Sequence, residues 1–267
     1  GLGDVYKRQA CGGQASPGPE HRAAKQQAWS SGKTGRTESS PMAVPRGALA
    51  LIPARGGSKG IPGKNLQTVG GVALVCRSIR AALASNGVGR VVVSTDDEAI
   101  AAAAETEGAE VIRRPAEIAG DTASSESALL HALDVLEKQG PLETELVFLQ
   151  CTSPFTTGAQ IDAVLAALHG KGSNSSFSVT PWHGFLWRAD GRGINHDPAL
   201  PRQRRQDLEP AFLETGAIYA MAITAFRRCG SRFCPPTSPV VLQEVGPEID
   251  TPEDLALCRS IAAQKGE

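Results

Sequence analysis

Three cations and four glycines fall within ten residues, Arg55-Gly56-Gly57-Ser58-Lys59-Gly60-Ile61-Pro62-Gly63-Lys64, and Asn65 follows directly. Glycines let backbone N–H groups approach a ligand closely, and Arg and Lys supply fixed positive charge. A polyphosphate is the ligand that such a set matches. Two standard nucleotide loops fail on inspection. Arg55 stands where a GxGxxG turn needs its first glycine. For a Walker A loop, Ser58 replaces the first glycine and Asn65 the closing Ser/Thr. Taken by itself the stretch could be a solvated basic turn. Its address, directly after the apolar run Gly47–Pro53, favours phosphate, because open α/β sheets bind ligands beyond the carboxyl ends of their strands. Gln150 follows the same logic: a polar residue closing the apolar run VFLQ points into that crevice.

The elements that must carry these residues form an alternating pattern. Strand-like runs at Gly47–Pro53, Arg90–Ser94, Ala109–Ile112, Glu145–Gln150 and Ser176–Thr180 are separated by segments with apolar residues at helical spacing. These helices are marked by Val72–Leu83, by Asp96–Glu107, by Leu129, Leu133 and Leu136, and by Ile161, Val164 and Leu168. Such alternation predicts βαβ units: an α/β, three-layer, Rossmann-like, mostly parallel sheet with helices on both faces. The rhythm breaks over residues 181–216, read as a small irregular insertion, and resumes at Ala217–Met221. A last helix is expected over about Pro252–Ala263, with Thr251 as N-cap, Pro252 at N1 and Asp254 at N3.

Composition sets the outer limits. The chain has 267 residues, 41% hydrophobic and 21% charged, which suits a globular fold. A net charge of −1 gives no global attraction to nucleic acid or membrane, and no apolar run reaches the roughly 20 residues of a membrane helix. The six cysteines are scattered and form no CxxC pair, so a zinc site or disulfide framework is not expected and a cytoplasmic location is. Residues 1–47 hold seven Lys/Arg against three Asp/Glu without apolar periodicity, and read as a disordered or non-native leader before a domain over 48–264. Within it Ser31-Gly32-Lys33-Thr34 imitates the tail of a phosphate loop, but Gln27 occupies the first glycine position.

The run IPARGGSKGIPGKN resembles the signature of the acylneuraminate cytidylyltransferases, the CMP-sialic acid synthetases. The likeness continues through Val92-Val93-Ser94-Thr95-Asp96, Arg114-Pro115-Ala116-Glu117, Asp121–Ser125 and Gln150-Cys151-Thr152-Ser153-Pro154, and covers 48–262. It implies a fold of the nucleotide-diphospho-sugar transferase type whose insertion serves dimerisation and substrate binding. It also implies that Arg55, Ser58, Lys59, Lys64 and Asn65 hold the triphosphate of CTP. Arg114 would read the cytosine, with Ser124, or Ser125, beside it. Without the resemblance, Arg113-Arg114 is a solvated pair and Ser124 an N-cap.

For the acceptor sugar the resemblance implies Gln150, His183, one arginine of Pro201-Arg202-Gln203-Arg204-Arg205 (taken as Arg205), and Tyr219. Arginine is the planar, bidentate carboxylate binder that a sugar acid needs. Thr215 stands where relatives carry Asn, so the acyl or glycerol recognition of this chain differs from theirs. A lone His is more often structural, and Tyr219 could be a core aromatic. Relatives carry an Asp-x-Asp before the last helix; here it is Glu248-Ile249-Asp250. In extended chain both carboxylates point to one side, as ligands for Mg²⁺ or another divalent cation.

The resemblance implies a homodimeric enzyme that transfers CMP from CTP to the anomeric hydroxyl of a nonulosonic acid, with Arg55, Lys64 and Asp250 central to catalysis. No residue stands out as general base. Legionaminic, pseudaminic or deaminated sialic acid, Kdo, or GTP in place of CTP, and a non-catalytic nucleotide-binding relative, remain the alternatives.

Overall fold

Along β1 (Ala48–Pro53), Ala48, Ala50 and Ile52 enter one apolar core while Leu49 and Leu51 enter another, so one strand feeds both faces of a sheet. The computed structural model describes residues 47–58, 60–120, 123–170, 172–204 and 207–267. The leader proposed over 1–47, except Gly47, lies outside the described residues, as do Lys59, Asp121 and Arg205.

After β1 a hairpin of β2 (Thr68–Val69) and β3 (Val72–Ala73) leads into α1 (Leu74–Leu83), then β4 (Val88–Thr95), α2 (Glu98–Thr106) and β5 (Glu110–Arg113). Next come α3 (Ser125–Gln139), β6 (Glu145–Leu149), α4 (Gly158–Gly170), β7 (Ser175–Trp182), β8 (Ala211–Ala222), α5 (Ile223–Cys229), β9 (Thr237–Val241) and α6 (Pro252–Lys265). The seven-stranded sheet has the order β5-β4-β1-β6-β8-β7-β9. Only β8 runs against its neighbours; every other pairing in that sheet is parallel. Helices α1, α2, α4 and α6 cover one face, and Leu129, Leu133 and Leu136 of α3 with Phe226 of α5 seal the other. Each of these buried leucines contributes about 1.5–3 kcal/mol of apolar transfer. This is the three-layer α/β architecture the alternation predicts. Among the described residues no helix is long and apolar enough to cross a membrane.

Some boundaries move. The helix expected from Val72 starts at Leu74, because Val72 and Ala73 pair with Thr68 and Val69 instead. The irregular stretch is shorter than 181–216: β7 runs to Trp182 and β8 begins at Ala211, with Trp182 opposite Ala211. Phe212 and Leu213 are about half exposed there, so no buried face stamps a period-2 pattern on the sequence. The short elements α5 and β9 carry too little periodicity to be read beforehand. The capping box of α6 forms as expected, with Thr251 Oγ1 accepting from Asp254 N and Asp254 accepting from Thr251 N.

Parallel registry brings the strand exits side by side. Pro53 pairs with Ser94, Ser94 with Ile112, and Leu51 with Phe148. The segments after β1, β4, β5 and β6 therefore emerge on one edge of the sheet.

Candidate active site

A cavity of about 270 Å³ opens at that edge. Its walls bring together Arg55, Ser58, Lys64 and Asn65 from the loop after β1, Arg114 beyond β5, Ser124 and Ser125 at the start of α3, and Gln150 beyond β6. Pro53, Gly57, Ala123, Phe148, Cys151 and Thr152 complete the lining; Cys151 and Thr152 fall inside the Gln150–Pro154 likeness without a role of their own, and Phe148 carries no site signal in the sequence.

The glycine-rich loop is fixed at several points. Asn65 Nδ2 donates to Arg55 O at 2.9 Å, and Gly56 N donates to Asp96 Oδ1 at 3.0 Å. Arg55 Nη1 donates to Gly120 O at 3.1 Å. Gly60 is required for close approach: a Cβ there would lie 2.8 Å from the carbonyl oxygen of Asp250. Lys64 Nζ donates to Ile249 O at 3.0 Å and pairs with Asp250 Oδ1 at 3.3 Å.

Arg114 is buried, 9% exposed, and donates from Nη2 to Ser94 O at 2.7 Å and from Nε to Ser94 Oγ at 3.3 Å. Burial pulls its guanidinium below the ordinary arginine range, opposed by the Asp96 charge, yet it stays a cation. A desolvated arginine held by two bonds is a rigid wall rather than the solvated member of a pair. Ser124 caps α3 by accepting from Ser127 N at 3.1 Å and also lines the cavity, so the capping and lining readings both hold. Ser125 lines it as well.

Glu248 accepts from Thr152 Oγ1 at 2.9 Å. Burial lifts its carboxyl above the ordinary range, helped by the Asp250 charge and opposed by Thr152 and Lys64. Gly216, at φ 68°, leaves room for this carboxylate, since a Cβ there would sit 2.8 Å from both of its oxygens. Among the described residues no group of three or more His, Cys, Asp and Glu gathers as around an ion. Two hard carboxylates beside a cavity lined by Arg55 and Lys64 nonetheless suit Mg²⁺, which commonly takes one or two protein carboxylates and completes its shell with water and phosphate. The residues present fit that ion.

The acceptor residues divide. Gln150 reaches the cavity. Tyr219 is 1% exposed and lies behind it, its ring stacked on Phe148 at 5.2 Å and its hydroxyl donating to Glu214. Thr215, expected to face the sugar, is turned away: its hydroxyl lies 2.5 Å from Ser178 Oγ, inside the β7–β8 ladder. A β-branched hydroxyl residue satisfies this buried position, where it also meets Ser178 O. His183 is exposed and does not line the cavity.

A profile described as cytidylyltransferase matches residues 49–190, which include the glycine-rich loop and most of the cavity wall. The chain belongs to the cytidylyltransferase family. It is 37% identical over 184 residues to the N-acylneuraminate cytidylyltransferase of Oncorhynchus mykiss, covering 65% of this chain and 41% of that protein. The chain thus spans well under half the length of that relative. It is 32% identical over 225 residues to the CMP-N,N'-diacetyllegionaminic acid synthase of Legionella pneumophila, covering 80% of this chain and 95% of the other. Among solved structures, a CMP:2-keto-3-deoxy-manno-octonic acid synthetase complexed with CTP shares the fold, with a TM-score of 0.63 at 19% identity, over 82% of this chain and 99% of that one.

Proposed function

We propose that the protein transfers CMP from CTP to the anomeric hydroxyl of a nonulosonic acid, releasing pyrophosphate. The carrying observation is the cavity at the strand exits, where the glycine-rich loop with Arg55 and Lys64 faces Arg114 and Ser124 across one pocket. The names of the relatives, which act on acylneuraminic, diacetyllegionaminic and pseudaminic acids, support a nine-carbon acid as acceptor.

In this reading Arg55 and Lys64, with Lys59 from the same loop, neutralise charge that builds on the departing pyrophosphate. Asn65 holds the loop in shape through Arg55 O. Arg114 and Ser124 take the base, and Gln150 orients the sugar. Catalysis of this kind is mainly positioning and electrostatic stabilisation. Glu248 and Asp250 would hold Mg²⁺, which supplies charge neutralisation for the phosphates when bound.

The protein is further proposed to work as a homodimer through its insertion. Leu186, Trp187, Ile194 and Leu200 there are 39–64% exposed, and a second concavity of about 360 Å³ is lined by Phe185, Trp187, Leu200 and Arg202. A second copy covering this surface would remove it from water. Sedimentation of the full chain should give twice the monomer mass; a monomer at micromolar concentration would overturn this.

The activity is tested by pyrophosphate release from CTP and Mg²⁺ with N-acetylneuraminic, legionaminic, pseudaminic and deaminated sialic acids and Kdo. Release with a nonulosonic acid is expected. CTP binding without release on any acceptor would favour a non-catalytic relative, and absence of CTP binding would remove the nucleotide reading.

A further inference from the structure

The loop between α5 and β9 carries Arg232, which no motif marks and which does not line the cavity, yet it touches the groups behind both halves of it. Its Nε donates to Glu126 Oε1 at 2.7 Å, and the two side chains are only 17% and 20% exposed. Glu126 lies in the first turn of α3, two residues after Ser124. The guanidinium centre sits 4.8 Å from the Phe148 ring centroid and 4.8 Å from that of Tyr219. These two rings stack on each other. With the carboxamide of Gln150 oriented to satisfy both ends, its oxygen accepts from Arg232 Nη1 at 3.0 Å and its nitrogen donates to Gly216 O at 3.3 Å.

The geometry points to Arg232 as the positioning residue that sets the Gln150 carboxamide for the acceptor sugar. This inference rests on the transferase reading above. Glu126 neutralises the guanidinium and fixes its plane, and the flanking aromatic rings restrict its tilt through cation–π contact. Nη1–H then selects which end of the Gln150 amide faces the cavity. A glutamine without that donor can turn over, presenting a donor where an acceptor stood. Because Gly216 adjoins Glu248, the same clamp ties the orientation of Gln150 to the acidic pair.

Lysine at this position preserves the charge opposite Glu126 but lacks the planar fork that serves two partners at once. Arg232→Lys should therefore keep a melting temperature near wild type while raising KM for the acceptor about tenfold or more, with KM for CTP within about twofold. Gln150→Ala should raise acceptor KM similarly. The double variant should be no worse than Gln150→Ala by more than about twofold, since one residue acts through the other. Acceptor KM unchanged in Arg232→Lys, equal rises for CTP and acceptor, or multiplying effects in the double variant would each overturn the inference alone. A wild-type enzyme that releases no pyrophosphate with any acceptor overturns the transferase reading and this inference with it.

Discussion

Lys64 in the loop after the first strand and Asp250 before the last helix, 186 residues apart, meet as an ion pair at 3.3 Å. One belongs to the proposed phosphate site and the other to the proposed metal site, so the two charge systems touch without ligand. The pair is unequal in exposure, with 17% of the Lys64 side chain and 69% of that of Asp250 open to solvent. The lysine is held from behind by Ile249 O. The chain's own atoms fix its position, and the carboxylate balances its charge.

Removing the lysine should separate catalysis from folding. Lys64→Ala is expected to lower kcat/KM by about 100-fold or more, the scale for loss of one fixed group that stabilises developing charge. Pyrophosphate release under saturating acceptor measures it. Turnover within threefold of wild type would remove the phosphate role.

Asp250→Asn offers the complementary contrast. A solvent-exposed ion pair is worth only about 0–1 kcal/mol, so thermal unfolding should barely change. The Mg²⁺ concentration for half-maximal activity should rise more than about tenfold, as expected when one of few anionic ligands is neutralised. An unaltered Mg²⁺ titration would show that the ion, if used, sits elsewhere.

Thr215→Val tests the buried placement of that residue. The valine keeps shape but loses the contacts with Ser178, so stability should fall by about 1–3 kcal/mol, the cost of a broken buried hydrogen bond. Relative rates across the acceptor panel should stay as in wild type. A reordered acceptor preference with unchanged stability would place the side chain in the sugar site after all.

Asp162 on α4 anchors the turn before β4. It accepts from Ser85 Oγ at 2.5 Å, Gly87 N at 3.0 Å and both nitrogens of Asn86. Burial opposes its ionisation, but the Ser85 hydroxyl and these N–H groups outweigh it and hold the carboxyl below its ordinary range. A depressed folded value contributes stability above the unfolded pKa of about 3.9 and loses it as pH falls through the folded one. Asp162→Asn should therefore be less stable than wild type at pH 7, with the gap closing below about pH 3.9 in denaturant titrations. A gap independent of pH would mean that the charge contributes nothing.

The glycine-rich loop, the strand–helix alternation and the α6 capping box were legible in the sequence because each depends on neighbours within about ten residues. Gln150 was legible because a polar residue ending an apolar strand has one place to point. Phe148 and Thr152 were not. An aromatic in an apolar strand and a threonine in a turn look the same whether they line a cavity or fill a core. Arg232 carried no signal at all, since its partners Glu126, Phe148 and Gln150 come from two distant segments and meet only through the sheet.

Local chemistry and periodicity therefore determined the layers of the fold and the loop of the proposed phosphate site, whose glycines and cations lie within ten residues of one another. Tertiary structure alone decided the other half. It turned Thr215 into the β7–β8 ladder, where its hydroxyl meets Ser178. It placed Tyr219 behind Phe148, and it drew Arg232 and Asp250 to partners more than 100 residues away. Those outcomes depend on strand order and register, which set side-chain direction across the sheet and which no single segment encodes.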